Sequence, residues 1–384
     1  MSRDDFPLCE FEARRDAVRW HMSGAGLDWI IVTHPASIYW LTGSDAKSFI
    51  SFQCLLISVA DKELRMIVRI SELAELQDDA VVDDVIPWGF HQADDSAAVF
   101  RGTIRMLGMD RQRVALEESV HYLGARDHGM IVECLGAALV QTSPSIVSHL
   151  RLAKSECELA HVRRAARIAD GALLAGLGLI SIGRSELEIA AEIYRHMLAS
   201  GGSQPVTALN LASGPRSSFS HGAPTARKLE FGDTGHIEFG VPFRRYPSTI
   251  GRQFVIGTPG TRVAELHRFV RDACAAAIST IRAGVEGFVV HAAANAVLEK
   301  AGLEAFAVHT LGYAIGPGFP PAYAEQYRLA RDERQPLLPG MVLSICPHVF
   351  IPSEKLGVRL VQNVIVRSDG NEVLSRLPDE IICC

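Results

Sequence analysis

Apolar and polar positions along the first 150 residues change repeatedly between the spacing of a helix and that of a strand. Apolar residues recur at helical spacing over 11–26, and a nearly continuous apolar run follows at 27–33. This alternation is typical of a sheet covered by helices. It predicts strands at 27–33, 51–60, 65–70, 82–87, 113–117 and near 138, and helices at 11–26, 72–76, 95–107 and 122–133, with a short helix in the loop 34–43. Residues 1–150 are therefore expected to form an α/β domain.

A second pattern begins near residue 151, where apolar residues keep helical spacing up to residue 178. Ser155 and Glu158 have the separation of a capping box, in which each side chain satisfies a backbone N–H of the first turn. Helical segments followed by hairpin-like strands then occur twice, at 172–202 with 205–257 and at 263–302 with 304–367. This repeat predicts an α+β domain over residues 151–384, in which two related halves share one central sheet and the site lies in the cleft between them.

The composition is that of an ordinary globular protein. The 384 residues suggest two domains, and 48% of them are hydrophobic and 21% charged. A net charge of −6 without a basic block argues against a nucleic-acid partner, and the apolar runs are shorter than the ~20 residues of a membrane span. Eight scattered cysteines without a Cys-x-x-Cys pair are expected to be reduced thiols. Since no signal-peptide pattern follows Met1, we expect a cytoplasmic protein with a small-molecule partner.

Glu238 stands out as a carboxylate inside the largely apolar stretch that ends at Gly240. An ionised group at such a position is costly unless it is paired or takes part in chemistry. Strand periodicity puts its side chain on the same face as His236. The structural alternative is an ion pair with one of three nearby arginines, Arg244, Arg245 and Arg252.

Four strings in the chain resemble the creatinase/aminopeptidase P family. They are Arg151-x-x-Lys-Ser-x-x-Glu158-x-x-x-x-Arg163, Gly312-Tyr-Ala-Ile-Gly316, Pro339-Gly-Met-Val-Leu343 and Gly357-Val-Arg-Leu-Val-Gln-Asn-Val364. The resemblance covers nearly the whole chain. It implies an accessory domain over residues 1–150, a catalytic domain of the pita-bread fold over residues 151–384, and a homodimer.

In the metal-dependent members of this family, two Asp, one His and two Glu side chains hold two divalent cations. The matching positions in this chain are Glu238, Thr249, Tyr313, Cys346 and Val361. Four of these five side chains cannot bind a hard cation in the usual way. The resemblance therefore implies neither a metal nor another cofactor, and no metallopeptidase activity.

Within the family, the chain is most similar to the metal-free branch, and ectoine hydrolase is the nearest pattern. Ser220-His-Gly-Ala-Pro-Thr225 puts His221 where the branch has a histidine, and Leu311-Gly-Tyr-Ala-Ile-Gly316 matches at Tyr313. The string from Gly43 to Phe49 lacks two aromatic residues of that pattern. The resemblance implies a metal-independent hydrolase of a non-peptide C–N bond in a small carboxylated amidine or amide, with ectoine as the lead substrate. The alternatives are a creatinase-like amidinohydrolase and a non-catalytic ligand-binding protein of the same fold.

Three residues are expected to carry this chemistry. Without a metal, water keeps a pKa near ~15.7, so Glu238 is expected to act as a general base or as a nucleophile. His221 is expected to pass a proton to the departing nitrogen. Tyr313 is expected to donate a hydrogen bond to the developing charge. A surface histidine and a packed tyrosine are the alternatives for the last two.

Six further residues are expected to contact the substrate: Arg69, Trp40, Phe49, Arg359, Thr249 and Cys346. The two arginines suit a carboxylate, because a guanidinium binds it with two parallel hydrogen bonds. The resemblance implies that the three from the N-terminal domain act across the dimer interface. Inert core packing is the alternative for Cys346.

Overall fold

The computed structural model describes residues 2–45, 47, 49–89, 96–117, 121–142 and 145–384. They form two compact units, Met1–Arg151 and Leu152–Cys384. Three residues of the patterns above lie outside the described part: Ala46 and Ser48 of the 43–49 string, and residue 95, where a helix was expected to begin.

The first unit alternates helices with the strands of a single sheet. Its elements are α1 (Leu8–Gly24), β1 (Trp29–Val32), α2 (Pro35–Thr42), β2 (Cys54–Ser58), β3 (Arg65–Arg69), α3 (Leu73–Asp79), β4 (Asp84–Trp88), α4 (Ser96–Met106), β5 (Val114–Glu117), α5 (Ala125–Leu135), β6 (Leu139–Thr142) and α6 (Ile146–Leu150). The strand order is β4-β3-β2-β1-β5-β6. β1 is antiparallel to β2 and parallel to β5, so the sheet is mixed.

Side chains of β1 show how this sheet is buried on both faces. Ile30 and Val32 pack into one hydrophobic core, and Trp29 and Ile31 pack into another. Successive side chains of a strand point to opposite faces, so each core covers one face of the sheet. This is why the segment is a nearly continuous apolar run rather than an alternating one.

The second unit contains two helix pairs, each followed by strands. Its elements are α7 (Glu156–Leu177), α8 (Glu186–Ala199), β7 (Asn210–Ser213), β8 (Thr234–Phe243), β9 (Tyr246–Val255), α9 (Thr261–Thr280), α10 (Gly287–Lys300), β10 (Gly312–Phe319), β11 (Ala322–Arg328), β12 (Val342–Ile345), β13 (His348–Ile351), β14 (Leu356–Arg359), β15 (Gln362–Val366), β16 (Asn371–Val373) and β17 (Ile382–Cys383). Each helix pair packs on its own hydrophobic core.

Both helices of the first pair begin with a capping box. Ser155 and Glu158 form the predicted one at the start of α7, so the helix begins at Glu156 and not at residue 151. Ser185 and Glu188 form an equivalent box at the start of α8. In each case the serine side chain accepts from one backbone N–H and the glutamate from another, which satisfies donors that the helix leaves free.

The second unit has separate sheets where one shared central sheet was predicted. The two larger sheets have the strand orders β17-β9-β8-β7 and β11-β10-β12-β15-β16. They are linked by an isolated bridge, in which Gly251 and Val361 exchange backbone hydrogen bonds of 3.3 and 3.1 Å. A Cβ on residue 251 would lie 2.7 Å from the Val361 side chain. Glycine therefore allows the close approach of the two sheets.

In the part of the chain that the structure describes, no helix combines the length and the apolar character needed to cross a bilayer.

Candidate functional site

A cavity of about 420 Å³ lies in the second unit, where β7, β8, β10 and β11 come together. Its lining consists of Thr207, Ala208, Leu209, Asn210, His221, Ala223, Glu238, Tyr313, Pro321, Ala322, Tyr323 and Ala324. The three residues that the sequence singled out for chemistry, Glu238, His221 and Tyr313, all belong to this lining. The fold thus brings together side chains from three distant segments of the chain.

Glu238 lies in the middle of β8 and is paired in register with Asn210 of β7. Its Oε2 accepts a hydrogen bond of 3.0 Å from the Asn210 side chain and a second from Arg359 Nη1. Arg359 ends β14 and its side chain is only 1% exposed, whereas the Glu238 side chain is 13% exposed. The buried guanidinium therefore fixes a carboxylate that reaches the cavity.

This ion pair corrects one expectation about arginines and bears on a second, which stays a prediction. The partner of Glu238 is Arg359 and not one of the three arginines nearby in sequence. Arg252 instead donates to the backbone carbonyl groups of Val361, Leu377 and Pro378. Arg359, expected to bind a substrate carboxylate, already binds a carboxylate of the protein itself.

A second nitrogen of Arg359 lies close to a serine and a histidine. Nη2 lies 3.4 Å from Ser220 Oγ and 3.5 Å from His309 Nε2, and the guanidinium carbon is 5.1 Å from the centre of the Phe350 ring. The Ser220 hydroxyl and His309 Nε2 are 2.7 Å apart. Arg359 thus connects Glu238 with a second polar pair beside the cavity.

Three imidazole rings form a stack next to this pair. The rings of His221 and His309 are 5.3 Å apart and nearly parallel, and those of His309 and His348 are 4.0 Å apart. Burial, reinforced by the charge of Arg359, lowers the pKa of His309 to about 4. Burial lowers the pKa of His348 to about 3, and the neighbouring His309 adds to the effect. The two inner rings are therefore neutral near pH 7, while the outermost, His221, is exposed.

Two tyrosines form the opposite part of the lining. Burial together with the charge of Glu238 raises the pKa of Tyr323 to about 12, and its neighbours Thr207 and Tyr313 also affect that pKa. Burial also raises the pKa of Tyr313. A Cβ on Gly240 would lie 3.2 Å from the Tyr323 ring, so the glycine leaves room for that ring. Both hydroxyls stay protonated and can donate hydrogen bonds.

Sequence reasoning did not identify His309, His348 or Tyr323. A sequence signal existed for His309, which lies two residues before the motif Leu311–Gly316 that contains Tyr313. Tyr323 follows two residues after Pro320-Pro321, a pair that marks a turn in the sequence. His348 carries no local signal, because only the packing of β13 brings its ring onto His309.

Four of the five positions that the resemblance matches to cation ligands carry a different chemistry here. Thr249 Oγ1 lies 2.9 Å from Ser344 Oγ and accepts a hydrogen bond of 2.6 Å from Asn363. Burial raises the pKa of Cys346 to about 12, so its thiol is protonated, and Val361 has a hydrocarbon side chain. Only Glu238 supplies the carboxylate oxygens that hard cations prefer.

Among the residues described, no group of three or more His, Cys, Asp or Glu side chains is placed to hold a metal ion. The side chains present therefore do not fit a centre of two hard cations. Thr249 and Cys346 were also expected to contact substrate. Both are buried, and the described lining of the cavity does not include them.

Trp40, Phe49 and Arg69 belong to the first unit. Trp40 is 4% exposed and packs into a hydrophobic core. Phe49 lies edge-on to Tyr122, with 5.9 Å between the ring centres. The guanidinium of Arg69, at the end of β3, lies 5.9 Å from the Trp88 ring. A role for these three residues across a dimer interface stays a prediction.

Comparisons with known proteins cover both units. The family model of metallopeptidase family M24 matches residues 160–368, and that of the creatinase/prolidase N-terminal domain matches residues 14–153. The uncharacterized hydrolase/peptidase y4tM of Sinorhizobium fredii is 26% identical over 98% of both chains. The probable dipeptidase PepE of Mycobacterium tuberculosis is 29% identical over 93% of this chain and 92% of its own. The solved Xaa-Pro dipeptidase from Bacillus anthracis is 26% identical with a TM-score of 0.85, covering 97% of this chain and 100% of its own.

These matches confirm the predicted fold class, an α/β N-terminal domain of the creatinase type followed by a pita-bread domain. They contradict the predicted activity. The similar proteins are named as peptidases and dipeptidases, and the matching family is one of metallopeptidases. A metal-independent hydrolase of non-peptide C–N bonds, whether ectoine hydrolase-like or creatinase-like, was therefore the wrong prediction.

The error has a physical origin. The prediction took its substrate from motifs that resemble ectoine hydrolase, and its metal independence from the side chains at five positions. Those positions govern how a cation is held, whereas the shape and polarity of the cavity govern which bond is placed there. A closer kinship with ectoine hydrolase, or with the metal-free branch in general, stays a prediction.

Proposed function

The chain belongs to metallopeptidase family M24, within the wider creatinase/aminopeptidase P family, and from this premise we propose that the cavity around Glu238 binds a short peptide whose peptide bond is hydrolysed there. The names of the dipeptidase relatives support this class of substrate. The size of the cavity supports it as well. A volume of about 420 Å³ lies in the range of ~300–1,000 Å³ that is common for small-molecule sites.

The carboxylate of Glu238 is the observation that carries the proposal. Among the described residues that line the cavity, it is the only carboxylate. Asn210 and Arg359 both donate to Oε2, so the group is held in one orientation. Arg359 offsets the charge of Glu238, but both donors bind Oε2, so Oε1 can accept a hydrogen bond from an ammonium group. The α-ammonium of a peptide is therefore assigned to Glu238.

Other lining residues suit the remaining parts of a short peptide. The side chains of Ala208, Ala223, Ala322 and Ala324 leave space for small apolar groups. His221 offers an imidazole that can protonate a departing amine. The tyrosine hydroxyls can donate to a carbonyl oxygen. No step is assigned to a cation, because the side chains at the family's cation positions do not fit two hard metal ions.

A homodimer in the cytoplasm is part of the proposal and rests on the family resemblance. In such a dimer, Arg69 and Phe49 of one protomer would approach the cavity of its partner.

Hydrolysis of Xaa-Pro dipeptides tests this function. The protein is incubated with Ala-Pro, and free proline is quantified by mass spectrometry. We expect turnover that falls at least ~10-fold in the Glu238→Gln variant, because a hydrogen bond to a charged group contributes about 1.5–3 kcal/mol and a factor of ten is about 1.4 kcal/mol. Glu265→Gln removes an exposed carboxylate of the same unit and should leave turnover unchanged. A wild-type protein that releases no proline, or a Glu238→Gln variant with full activity, contradicts the proposal.

A further inference from the structure

Ser220 and His309 form a side-chain pair that the peptide chemistry above does not use. The serine lies in the loop after β7 and the histidine in the segment before β10, and their Oγ and Nε2 atoms are 2.7 Å apart. Ser220 is half-buried and stands between the exposed residues Phe219 and His221. A small molecule from solvent can therefore reach its hydroxyl.

The contact with Arg359 indicates which atom of the pair donates the hydrogen bond. Its Nη2 lies 3.5 Å from His309 Nε2, and a guanidinium can only donate hydrogen bonds. Nε2 is therefore the unprotonated nitrogen of the neutral ring. It follows that the Ser220 hydroxyl donates to Nε2, which is the direction required for a nucleophile and its base.

The surroundings hold the base in place and favour charge on the serine oxygen. The His309 ring is stacked between His221 and His348, and its backbone N–H lies 3.4 Å from His348 Nε2. Arg359 Nη2 lies 3.4 Å from Ser220 Oγ. A positive charge at that distance stabilises the negative charge that develops on the oxygen as it loses its proton.

An apolar rim next to the pair indicates the kind of molecule that it accepts. Phe219, which precedes the serine, is 52% exposed, and Val308, which precedes the histidine, is 56% exposed. Large exposed apolar side chains beside reactive polar groups suit a ligand with an alkyl portion.

We propose that Ser220 is a nucleophile and His309 its base, and that the pair transfers the acyl group of small carboxylic esters to water. The serine oxygen bonds to the ester carbonyl carbon while its proton passes to His309 Nε2. The bond from that carbon to the alkoxy oxygen then breaks, and the proton leaves with the alcohol. Water attacks the acyl-serine in the same way, which releases the carboxylic acid and restores both side chains.

Labelling with an alkyl fluorophosphonate tests the pair directly. This reagent phosphonylates an activated serine and releases fluoride, and digestion followed by mass spectrometry locates the adduct. We expect one adduct on Ser220 in the wild-type protein, and none at this position in Ser220→Ala. His309→Asn should lower the labelling rate at least ~100-fold, the lower bound for a general base. Ser218→Ala, two residues away on the same loop, should label at the wild-type rate.

Two activity assays on the same variants distinguish ester hydrolysis at Ser220 from the proposed peptide hydrolysis. Hydrolysis of 4-nitrophenyl acetate should be lost in Ser220→Ala, whereas release of proline from Ala-Pro reports on the cavity around Glu238. Absence of an adduct on Ser220, or equal labelling of wild type and His309→Asn, refutes the role of Ser220 as a nucleophile. Neither result bears on peptide hydrolysis, which the release of proline measures separately. A Ser220 adduct in a protein without dipeptide turnover supports the nucleophile and refutes the peptide function.

Discussion

At the scale of single residues, the ion pair between Glu238 and Arg359 organises the site. Side chains from three segments meet around this guanidinium, those of Ser220, Glu238 and His309, and Asn210 donates to Glu238 from a fourth. Glu238 faces the cavity, whereas Arg359 is buried beneath it. The arginine therefore acts by positioning the carboxylate and polarising the serine.

A double-mutant cycle measures how strongly the two residues are coupled. Breaking a buried ion pair at one partner costs about 3–5 kcal/mol, because the other charge is left buried without compensation. We expect Arg359→Met to lower the free energy of unfolding in urea by about 3 kcal/mol, since Glu238 keeps some access to the cavity. The variant that also carries Glu238→Gln should recover part of this loss. Strictly additive effects of the two changes would show that the pair is not coupled.

An exposed ion pair in the same unit provides the control for that cycle. The side chains of Arg262 and Glu354 form a salt bridge, but they are 45% and 38% exposed. Solvent screens such pairs, so Arg262→Met is expected to cost less than about 1 kcal/mol. A cost as large as that of Arg359→Met would mean that burial is not the reason for the effect.

At the scale of secondary-structure elements, the contact between the two larger sheets of the second unit determines where Glu238 stands. Gly251 of β9 is the register partner of Glu238 and also bridges to Val361. Val361 occupies one of the family's cation positions, and its side chain packs on the glycine. The hairpin that carries the carboxylate is thereby held against the second sheet.

Gly251→Ala tests this contact. The added methyl group would lie 2.7 Å from the Val361 side chain, so the sheets must separate. Overpacking of this kind costs about 1–3 kcal/mol, and dipeptide turnover should fall because Glu238 shifts with its strand. Gly370→Ala adds a methyl group where nothing lies within 4 Å and should change unfolding in urea by less than about 0.5 kcal/mol. Equal unfolding curves for the two variants would refute a tight contact at Gly251.

Periodicity and spacing in the sequence predicted the helices and strands well. They did not predict contacts between residues that are far apart in the chain. The strands of the first unit and the capping box at Ser155 depend on neighbours in the chain, so periodicity and spacing reveal them. The partner of Glu238 lies 121 positions away in sequence, and no periodicity encodes such a pairing. For the same reason, the sequence does not predict that the rings of His309 and His348 pack together. Nor does it predict that the second unit has separate sheets instead of one shared sheet.

At the scale of the whole molecule, the fold indicates a family of metallopeptidases, whereas the side chains at the expected metal positions do not fit hard cations. Both units match models of the family, and the relatives are named as dipeptidases. Yet four of the five positions that the resemblance matches to cation ligands lack carboxylate or imidazole side chains, and Thr249, one of them, forms a neutral network with Ser344 and Asn363. The fold therefore supports a short peptide as the class of substrate. The role of each side chain has to be tested by mutation.

A crystal structure of the protein soaked with Ala-Pro is the most direct test of the central claim that the cavity around Glu238 binds a short peptide. The account predicts electron density for the dipeptide, or for its products, in that cavity, with the α-ammonium within about 3 Å of the Glu238 carboxylate, the usual length of such a hydrogen bond. A dipeptide bound elsewhere, or bound with its carboxylate towards Glu238, would contradict the account.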